Sequence, residues 1–104
     1  MNGAILETYV ISEVVKSYLH NGLPVNIFFY RDKDKNEIDL LINRNGMLFP
    51  VEIKRSASPK TSDVKQFKYL STFELPVGNG AIICLYDKLL PLNSQTMIVP
   101  VCYL

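Results

Sequence analysis

Residues 36–55 read NEIDLLINRNGMLFPVEIKR, and this stretch decides the fold. The Asn45-Gly46 pair in its middle is typical of a two-residue turn between antiparallel strands. Charged and apolar residues alternate near both ends of the stretch, which indicates strands rather than helix. The stretch is therefore predicted to be a β-hairpin with strands over residues 36–44 and 47–55.

The turn also sets the pairing register of the hairpin. A two-residue turn places Arg44 opposite Met47, and counting outward places Asp39 opposite Glu52. Directly opposed residues have Cβ atoms roughly 4.5–5.5 Å apart, and two like charges at that distance repel each other. A carboxylate pair of this kind favours a bound cation. Pro50 could shift the register by one residue, because proline inside a strand is typical of an edge or a bulge.

Alternation assigns the hairpin residues to two faces. In the first hairpin strand, Ile38, Leu40 and Ile42 are predicted to share one face, and Glu37, Asp39 and Leu41 the other. In the second, Phe49, Val51 and Ile53 share one face, and Glu52 and Lys54 the other. The same register sets Glu37 opposite Lys54. An ordinary cross-strand ion pair is therefore the alternative role for this lysine.

Further elements surround the hairpin. Apolar periodicity predicts a helix from Gly3 to His20, ended by Asn21-Gly22, and then a strand over residues 25–31. A second helix is predicted from Thr61 or Ser62, either of which can cap it, to Phe73. Apolar runs predict two more strands over residues 81–86 and 96–103. The order αβββαββ predicts an α/β fold, a mixed sheet flanked by helices, in one domain over residues 1–104.

One charged residue interrupts the apolar arc of the first helix. At 100° per residue, Glu7 falls in the arc formed by Val10, Ile11, Val14, Val15, Tyr18 and Leu19. Burying a lone carboxylate is costly, so Glu7 requires a cation, a metal ion or strong donors as its partner. The alternative is a position at the rim, where the helix enters the fold.

Composition restricts the class of protein. Hydrophobic residues make up 48% and charged residues 20%, which excludes a disordered or collagen-like chain. The net charge of +1 gives no general affinity for nucleic acid, and no run is apolar enough for a membrane span. Cys84 and Cys102 lie in apolar runs without metal-binding spacing, so both are predicted to be buried, reduced thiols of a cytoplasmic protein. Without a Gly-rich phosphate loop, the chain itself is not predicted to bind ATP.

Four residues form a chemically coherent set. Asp39 and Glu52 are opposed carboxylates, Glu7 is a third carboxylate directed inward, and Lys54 lies two residues after Glu52. Each residue alone is an ordinary solvated side chain. Together they supply hard oxygen ligands and a fixed positive charge, which suit Mg²⁺ or Mn²⁺ with a substrate phosphate.

The pattern of Asp39, a gap, and Glu52-Ile53-Lys54 on a strand resembles the signature of the PD-(D/E)XK nuclease superfamily, whose restriction-endonuclease-like fold has an αβββαβ core. Ile38 stands where that signature has proline. Within the superfamily the chain is similar to the uncharacterised nuclease-like domain that follows AAA-type ATPases. The phrases that carry this similarity are Ile5-Leu6-Glu7, Phe29-Tyr30-Arg31-Asp32, Glu37-Ile38-Asp39 and Val51-Glu52-Ile53-Lys54.

The resemblance implies roles for individual residues. Asp39, Glu52 and Lys54 would be catalytic, Glu7, Asp39 and Glu52 would hold Mg²⁺ or Mn²⁺, and Gln66 on the second helix would support them. It also implies that the domain is the C-terminal part of a larger protein with an AAA-type ATPase module, and that DNA is the substrate.

Other charged groups are given simpler roles. Asp32, Asp34 and Asn36 begin like a calcium-binding loop, but Glu37 occupies the position of the required glycine, so a solvated turn is predicted. Four basic residues form either a rim for phosphate contacts or a solvated helix face: Arg55, Lys60, Lys65 and Lys68.

Two functions are compatible with these observations. The first is a metal-dependent nuclease module that hydrolyses DNA phosphodiesters. The second is a non-catalytic domain with the same fold that serves as a docking or regulatory part of an AAA-type ATPase. Retention of all four residue types favours the first, and the near-zero net charge favours the second.

Overall fold

The chain folds into one α-helix, six strands and two 3₁₀ segments, and the computed structural model describes residues 2–104. In chain order, the elements are α1 (Gly3–His20), β1 (Ile27–Arg31), β2 (Glu37–Arg44), β3 (Met47–Ile53), the long 3₁₀ segment (Thr61–Thr72), β4 (Gly80–Cys84), β5 (Leu90–Asn93), β6 (Thr96–Pro100) and a short 3₁₀ turn (Val101–Tyr103). The predicted α/β class with a mixed sheet is confirmed.

All six strands form one sheet, in the order β1-β2-β3-β4-β6-β5. The first three strands are joined by antiparallel pairing. β4 lies parallel to both β3 and β6, while β5 pairs antiparallel with β6 at the far edge. A parallel neighbour requires the chain to return to the starting end of the sheet, and the long 3₁₀ segment lies in that return between β3 and β4.

Helix α1 begins and ends at the predicted residues, because a capping residue precedes it and a glycine follows it. The side chain of Asn2 caps the start by accepting a hydrogen bond from the amide of Ile5 at 2.9 Å. Gly22 follows the end with a φ of 66°, a conformation that glycine adopts readily. Leu6 and Val10 are the fully buried residues of α1. No helix among the described residues combines the length and hydrophobicity of a membrane span.

The core has one layer on each face of the sheet. The α1 face is filled by Leu6, Val10, Leu40, Val51, Ile53 and Ile83. The opposite face packs against the long 3₁₀ segment through Val64, Leu70, Ile82, Cys84, Ile98, Ile38 and Leu41. The core layer to which a buried strand residue belongs therefore shows whether its side chain points toward α1 or toward the long 3₁₀ segment.

The hairpin register is confirmed over most of its length. Arg44 pairs with Met47, and the pairing continues without a shift to Leu40 and Val51. Pro50 is fully buried and stands opposite Leu41 without disturbing this register. The ladder ends one pair before Asp39 and Glu52, so the two carboxylates stand where the strands begin to separate.

A β-bulge in β2 corrects the predicted faces of that strand. Two residues, Asp39 and Leu40, lie opposite the single residue Phe29 of β1. The extra residue resets the alternation. Ile38 and Leu41 therefore pack together toward the long 3₁₀ segment, while Leu40 packs toward α1. The predicted shared face of Ile38 and Leu40 was wrong, as was that of Asp39 and Leu41.

The second predicted helix is a 3₁₀ segment rather than an α-helix, with non-helical backbone angles at Val64. It is flanked by Lys60, whose amide donates to the carboxylate of Asp63 at 2.9 Å, so the predicted caps at Thr61 and Ser62 were wrong. The long 3₁₀ segment packs closely on the sheet at Gly80, where a Cβ would lie 2.7 Å from the ring of Phe67.

The remaining corrections concern element limits and the C-terminal third. β1 begins at Ile27 rather than at residue 25, β3 ends at Ile53 rather than at residue 55, and β4 covers Gly80–Cys84 rather than residues 81–86. Strand β5 was not predicted, because it has four residues and contains Pro91. β6 ends at Pro100 instead of Tyr103, and the chain continues as the short 3₁₀ turn. Both cysteines are free, but only Cys84 is buried; Cys102 lies in that turn and is exposed, so its predicted burial was wrong.

Candidate metal centre

The candidate centre lies at the end of the sheet where β2 begins and β3 ends. Because the two strands are antiparallel, the start of one and the end of the other meet at the same edge of the molecule. Asp39 is the third residue of β2 and Glu52 is the sixth residue of β3. The bulge and the end of the ladder both occur here, which opens a gap between the strands.

Asp39 occupies this gap. Its Oδ2 accepts a hydrogen bond from the amide of Ile53 at 2.8 Å. In a continued ladder that amide would pair with the backbone of β2, so the Asp39 side chain replaces a main-chain acceptor. The bond holds one carboxylate oxygen against the backbone of β3. The side chain itself is half-buried.

Glu52 is the most perturbed ionisable group described. Its side chain is 7% exposed, and its Oε2 has no hydrogen-bond partner among residues 2–104. Burial, a hydrogen bond with Asp39 and the charge of Asp39 together raise the pKa of the Glu52 carboxyl to about 9. Native proteins rarely leave a buried polar oxygen without a partner, so this atom requires an explanation.

Glu52 faces the side of the long 3₁₀ segment. Its neighbours in the strand, Val51 and Ile53, pack toward α1, so the side chain between them points the other way. Its parallel partner Ile82 packs against Val64 of that segment. The charge of Asp63, at the start of the same segment, contributes to the raised pKa of Glu52. Asp63 was not among the predicted site residues, although its position near a predicted helix start is a signal in the sequence.

Glu7 approaches Asp39 from the α1 face. Its side chain is half-buried on the first turns of α1. Partial burial, followed by the charges of Asp39 and Glu37, raises the pKa of the Glu7 carboxyl. Glu7 also lines the same cavity as Asp39, so the two side chains lie on the same side of the domain.

In space, the three carboxylates follow one another in a row and do not surround a single point. Asp39 lies between Glu52 on one face of the sheet and Glu7 on the other. Within the described part of the chain, no group of three His, Cys, Asp or Glu side chains is placed to hold a metal ion. The structure brings together the pairs Asp39 with Glu52 and Asp39 with Glu7.

Lys54 does not form the ion pair with Glu37 that was its alternative role. Glu37 instead bonds Arg31 of β1, with 3.0 Å between Nε and Oε1. The reason is that β2 and β3 have separated before this position, while β1 and β2 still pair through Arg31 and Glu37. The positive charge of Lys54 counteracts the raised pKa of Glu52. Lys54 is exposed, and among residues 2–104 its ammonium has no carboxylate within 4.0 Å.

Gln66 is half-buried in the long 3₁₀ segment. Among the described residues, its side chain has no hydrogen bond to Asp39, Glu52 or Glu7. The basic residues Arg55, Lys60, Lys65 and Lys68 are all exposed.

The turn before β2 is built around Asp32. Its carboxylate accepts hydrogen bonds from the amides of Asp34 and Asn36 at 2.9 and 3.0 Å, and from the hydroxyl of Tyr30 at 3.1 Å. Burial acts to raise the pKa of Asp32, but these hydrogen bonds outweigh it and lower the pKa. Asp32 is thus used within the turn, and it fixes the start of β2 two residues before the bulge begins.

A cavity of about 360 Å³ adjoins the carboxylates. Glu7, Asp39, Glu37, Arg31 and Phe29 line it, together with Tyr30 and Ile38. Phe29 is 68% exposed, which is unusual for a phenylalanine inside a strand. Phe29 was part of a segment that carries the family resemblance, but it was not predicted to be a surface residue.

A comparison with protein families matches residues 2–104 to a domain of unknown function, DUF4143. The chain belongs to the DUF4143 family. The match spans the whole DUF4143 fold described above, including the four predicted site residues Glu7, Asp39, Glu52 and Lys54. No curated protein and no solved structure matches the chain.

The DUF4143 carboxylate pair has the donor chemistry of a hard cation site. Carboxylate oxygens are the preferred protein ligands of Mg²⁺ and Mn²⁺. Asp39 has one oxygen committed to Ile53, whereas the Oε2 atom of Glu52 is unpartnered among the described residues. Lys54 adds a positive charge close to the same pair. The arrangement can therefore supply two carboxylates and one ammonium group to a bound phosphate and its cation.

Proposed function

We propose that this DUF4143 domain is a metal-dependent nuclease module of the PD-(D/E)XK type, with a restriction-endonuclease-like fold, that hydrolyses DNA phosphodiesters. The observation that carries this proposal is the buried, unpartnered Oε2 of Glu52 beside Asp39. We further propose that the domain acts in the cytoplasm, as one domain of a larger protein with an AAA-type ATPase module.

A divalent cation fits the carboxylate pair. Two adjacent carboxyl groups with no cation share a proton, because like charges in contact oppose ionisation. Burial first, and then the hydrogen bond and the charge of Asp39, raise the pKa of Glu52, which favours its protonated form beside Asp39. A cation between Asp39 and Glu52 would favour the ionised form of both groups and would give Oε2 a partner. Mg²⁺ commonly uses one or two protein carboxylates and keeps the rest of its coordination for water and phosphate oxygens.

Each proposed site residue would have its own role. Asp39 and Glu52 would hold Mg²⁺ or Mn²⁺, which when bound supplies a polarised phosphoryl oxygen and a more acidic water. Lys54 would offset the negative charge that develops on the phosphate and orient the attacking water. Glu7 would contact the same assembly from the α1 face. Gln66 would support it from the long 3₁₀ segment.

Calorimetric titration with Mn²⁺ tests the cation site directly. We expect the wild-type chain to bind Mn²⁺, and Glu52→Gln to bind it at least about tenfold more weakly, since a ligand charge is lost. Glu74→Gln is the matched control, because Glu74 is exposed and lies far along the chain from the pair. Equal binding by wild type and Glu52→Gln would contradict the proposal.

A plasmid-nicking assay tests the reaction. We expect slow, Mn²⁺-dependent nicking by the wild-type chain or by the chain joined to its ATPase module, and loss of nicking in Glu52→Gln. Glu74→Gln should nick like the wild type. Mn²⁺ binding without any nicking, in both contexts and on several DNA forms, would leave a cation site without nuclease activity.

One observation favours the second function, a non-catalytic docking or regulatory domain of an AAA-type ATPase. Asp39 already has a structural use, because it supplies the acceptor for the amide of Ile53. In addition, no three ligand side chains among residues 2–104 converge on one point. If the experiments detect neither Mn²⁺ binding nor nicking, the docking or regulatory function describes the domain better.

A further inference from the structure

The exposed ring of Phe29 lies beside the carboxylates. Phe29 stands opposite the bulge formed by Asp39 and Leu40, so it is the β1 residue across the strands from Asp39. Cross-strand neighbours of this kind have Cβ atoms about 5 Å apart. Phe29 and Asp39 also line the same cavity, together with Glu7. The ring therefore adjoins Asp39, one of the two proposed cation ligands.

Burial does not explain this phenylalanine. The side chain is 68% exposed, and its neighbour Ile27 packs toward the α1 core on the same face of the strand. The Phe29 ring, which adjoins the carboxylates, is thus left in solvent although its neighbour on the same face is covered. An exposed aromatic face beside a phosphate site is the usual platform on which an unpaired base stacks, and every base offers a suitable face.

Arg31 supports the same interpretation. It lies two residues further along β1, on the same face as Phe29, and its side chain is 77% exposed. Glu37 holds its Nε at 3.0 Å, which orients the guanidinium group at the rim of the cavity. A backbone phosphate next to a stacked base would meet a positive charge at this position.

We propose that Phe29 is a stacking platform for an unpaired base, so that the domain binds single-stranded DNA, or an unpaired end, in preference to duplex. This inference rests on the proposed nuclease function, because Asp39 lines the cavity and is also a proposed ligand of the cation, whose charge would offset the negative charge of the cavity carboxylates. In a duplex the bases are stacked on one another and unavailable to the ring, so the ring favours only an unpaired strand.

The chain provides a matched control in the next residue. Phe28 is also exposed, at 50%, but it points to the opposite face of β1 and pairs with Leu41. Phe28→Ala therefore removes the same side chain from the same strand without changing the cavity. Phe29→Trp is the rescue variant, because it keeps an aromatic face at the site.

The experiment is fluorescence anisotropy with a labelled 12-nucleotide oligothymidine and a duplex of equal length, in Ca²⁺, with the integrity of the DNA checked afterwards. We expect Phe29→Ala to weaken oligothymidine binding roughly 5- to 100-fold, the range for loss of one base–aromatic stack. Phe28→Ala and Phe29→Trp should remain within about threefold of the wild type, and duplex should bind more weakly than the single strand.

Two results would overturn the inference: equal oligothymidine binding by Phe29→Ala and the wild type, or equal losses in Phe28→Ala and Phe29→Ala. Mn²⁺ calorimetry on Phe29→Ala separates this failure from that of the proposed function. If Mn²⁺ binds and the wild type nicks DNA while Phe29→Ala behaves as wild type, only the stacking platform is rejected. If no Mn²⁺ binds to any variant, the cation site itself is rejected.

Discussion

The carboxylate of Asp39 accepts the amide hydrogen of Ile53 at 2.8 Å, at the point where β2 and β3 stop pairing through their backbones. This bond joins the two strands beyond the end of their ladder. It also turns one oxygen of Asp39 away from solvent and leaves the remaining oxygen for Glu52 or a cation. Asp39 thus has a structural role and a candidate chemical role, and the two can be separated by substitution.

Asp39→Ala should lower the free energy of unfolding by about 1–3 kcal/mol, because the amide of Ile53 loses its acceptor in a partly buried position. Asp39→Asn keeps a carbonyl oxygen and should retain most of that stability while losing Mn²⁺ binding. Urea unfolding and calorimetry measure the two properties separately. Asp34→Ala, at an exposed turn residue, is the control. Equal stability of the alanine and asparagine variants would argue against the structural role.

Without divalent ions, stability should fall as the pH rises from 5 to 8. Folded Glu52 keeps its proton up to a pKa of about 9, whereas an unfolded glutamate releases it near 4.5. Between these values the folded state binds more protons, so the free energy of unfolding decreases with pH. Glu52→Gln should reduce this decrease by on the order of 1–3 kcal/mol. Urea unfolding in EDTA at both pH values is the measurement, and Glu74→Gln should keep the wild-type slope.

Lys54→Ala should separate cation binding from catalysis. Loss of one positioned electrostatic group typically lowers a rate about 100- to 1,000-fold. Nicking should therefore fall to background, while Mn²⁺ binding remains close to that of the wild type because both carboxylates are kept. Lys88→Ala removes an exposed lysine from the loop between β4 and β5 and should leave nicking unchanged. Full activity of Lys54→Ala would remove this lysine from the proposed mechanism.

Two glycines should respond in opposite directions to alanine. At Gly80 a Cβ would lie 2.7 Å from the ring of Phe67 and 3.2 Å from the carbonyl oxygen of Pro50. Gly80→Ala should therefore cost about 1–3 kcal/mol of stability through overpacking. At Gly3, in the first turn of α1, a Cβ would meet no atom within 4 Å. Gly3→Ala should stabilise the chain by up to about 1 kcal/mol, and thermal unfolding of both variants is the measurement.

The hairpin could be predicted because its signals are local. Asn45-Gly46 determines both the turn and the register, and these held through Pro50. The bulge at Asp39 could not be seen in the same way, since it depends on how β1 pairs with β2. The ion pair of Glu37 with Lys54, which was the alternative role for this lysine, is also not formed, because β2 and β3 stop pairing before these residues although the neighbouring register is right.

The candidate site was predictable in part for the same reason. The proximity of Asp39 and Glu52 follows from the register alone. The burial of Glu52 does not, because it depends on β4 and the long 3₁₀ segment, which come later in the chain. The exposure of Phe29 could not be predicted either. When both faces of a strand are apolar, the sequence does not show which face is left uncovered in the fold. β5 escaped prediction because Pro91 opposes strand structure except at an edge.

The parallel position of β4 beside β3 has a consequence for how the protein folds. The β2–β3 hairpin closes a loop of two residues and can form within microseconds, whereas β4 must first bring back a long return segment. We therefore expect an early species in which Asp39 and Glu52 are already neighbours but Glu52 is still hydrated and ionised. Docking of β4 removes that water, so proton uptake by Glu52 should accompany the late, slow phase of refolding. In metal-free solution that phase should become slower as the pH is raised.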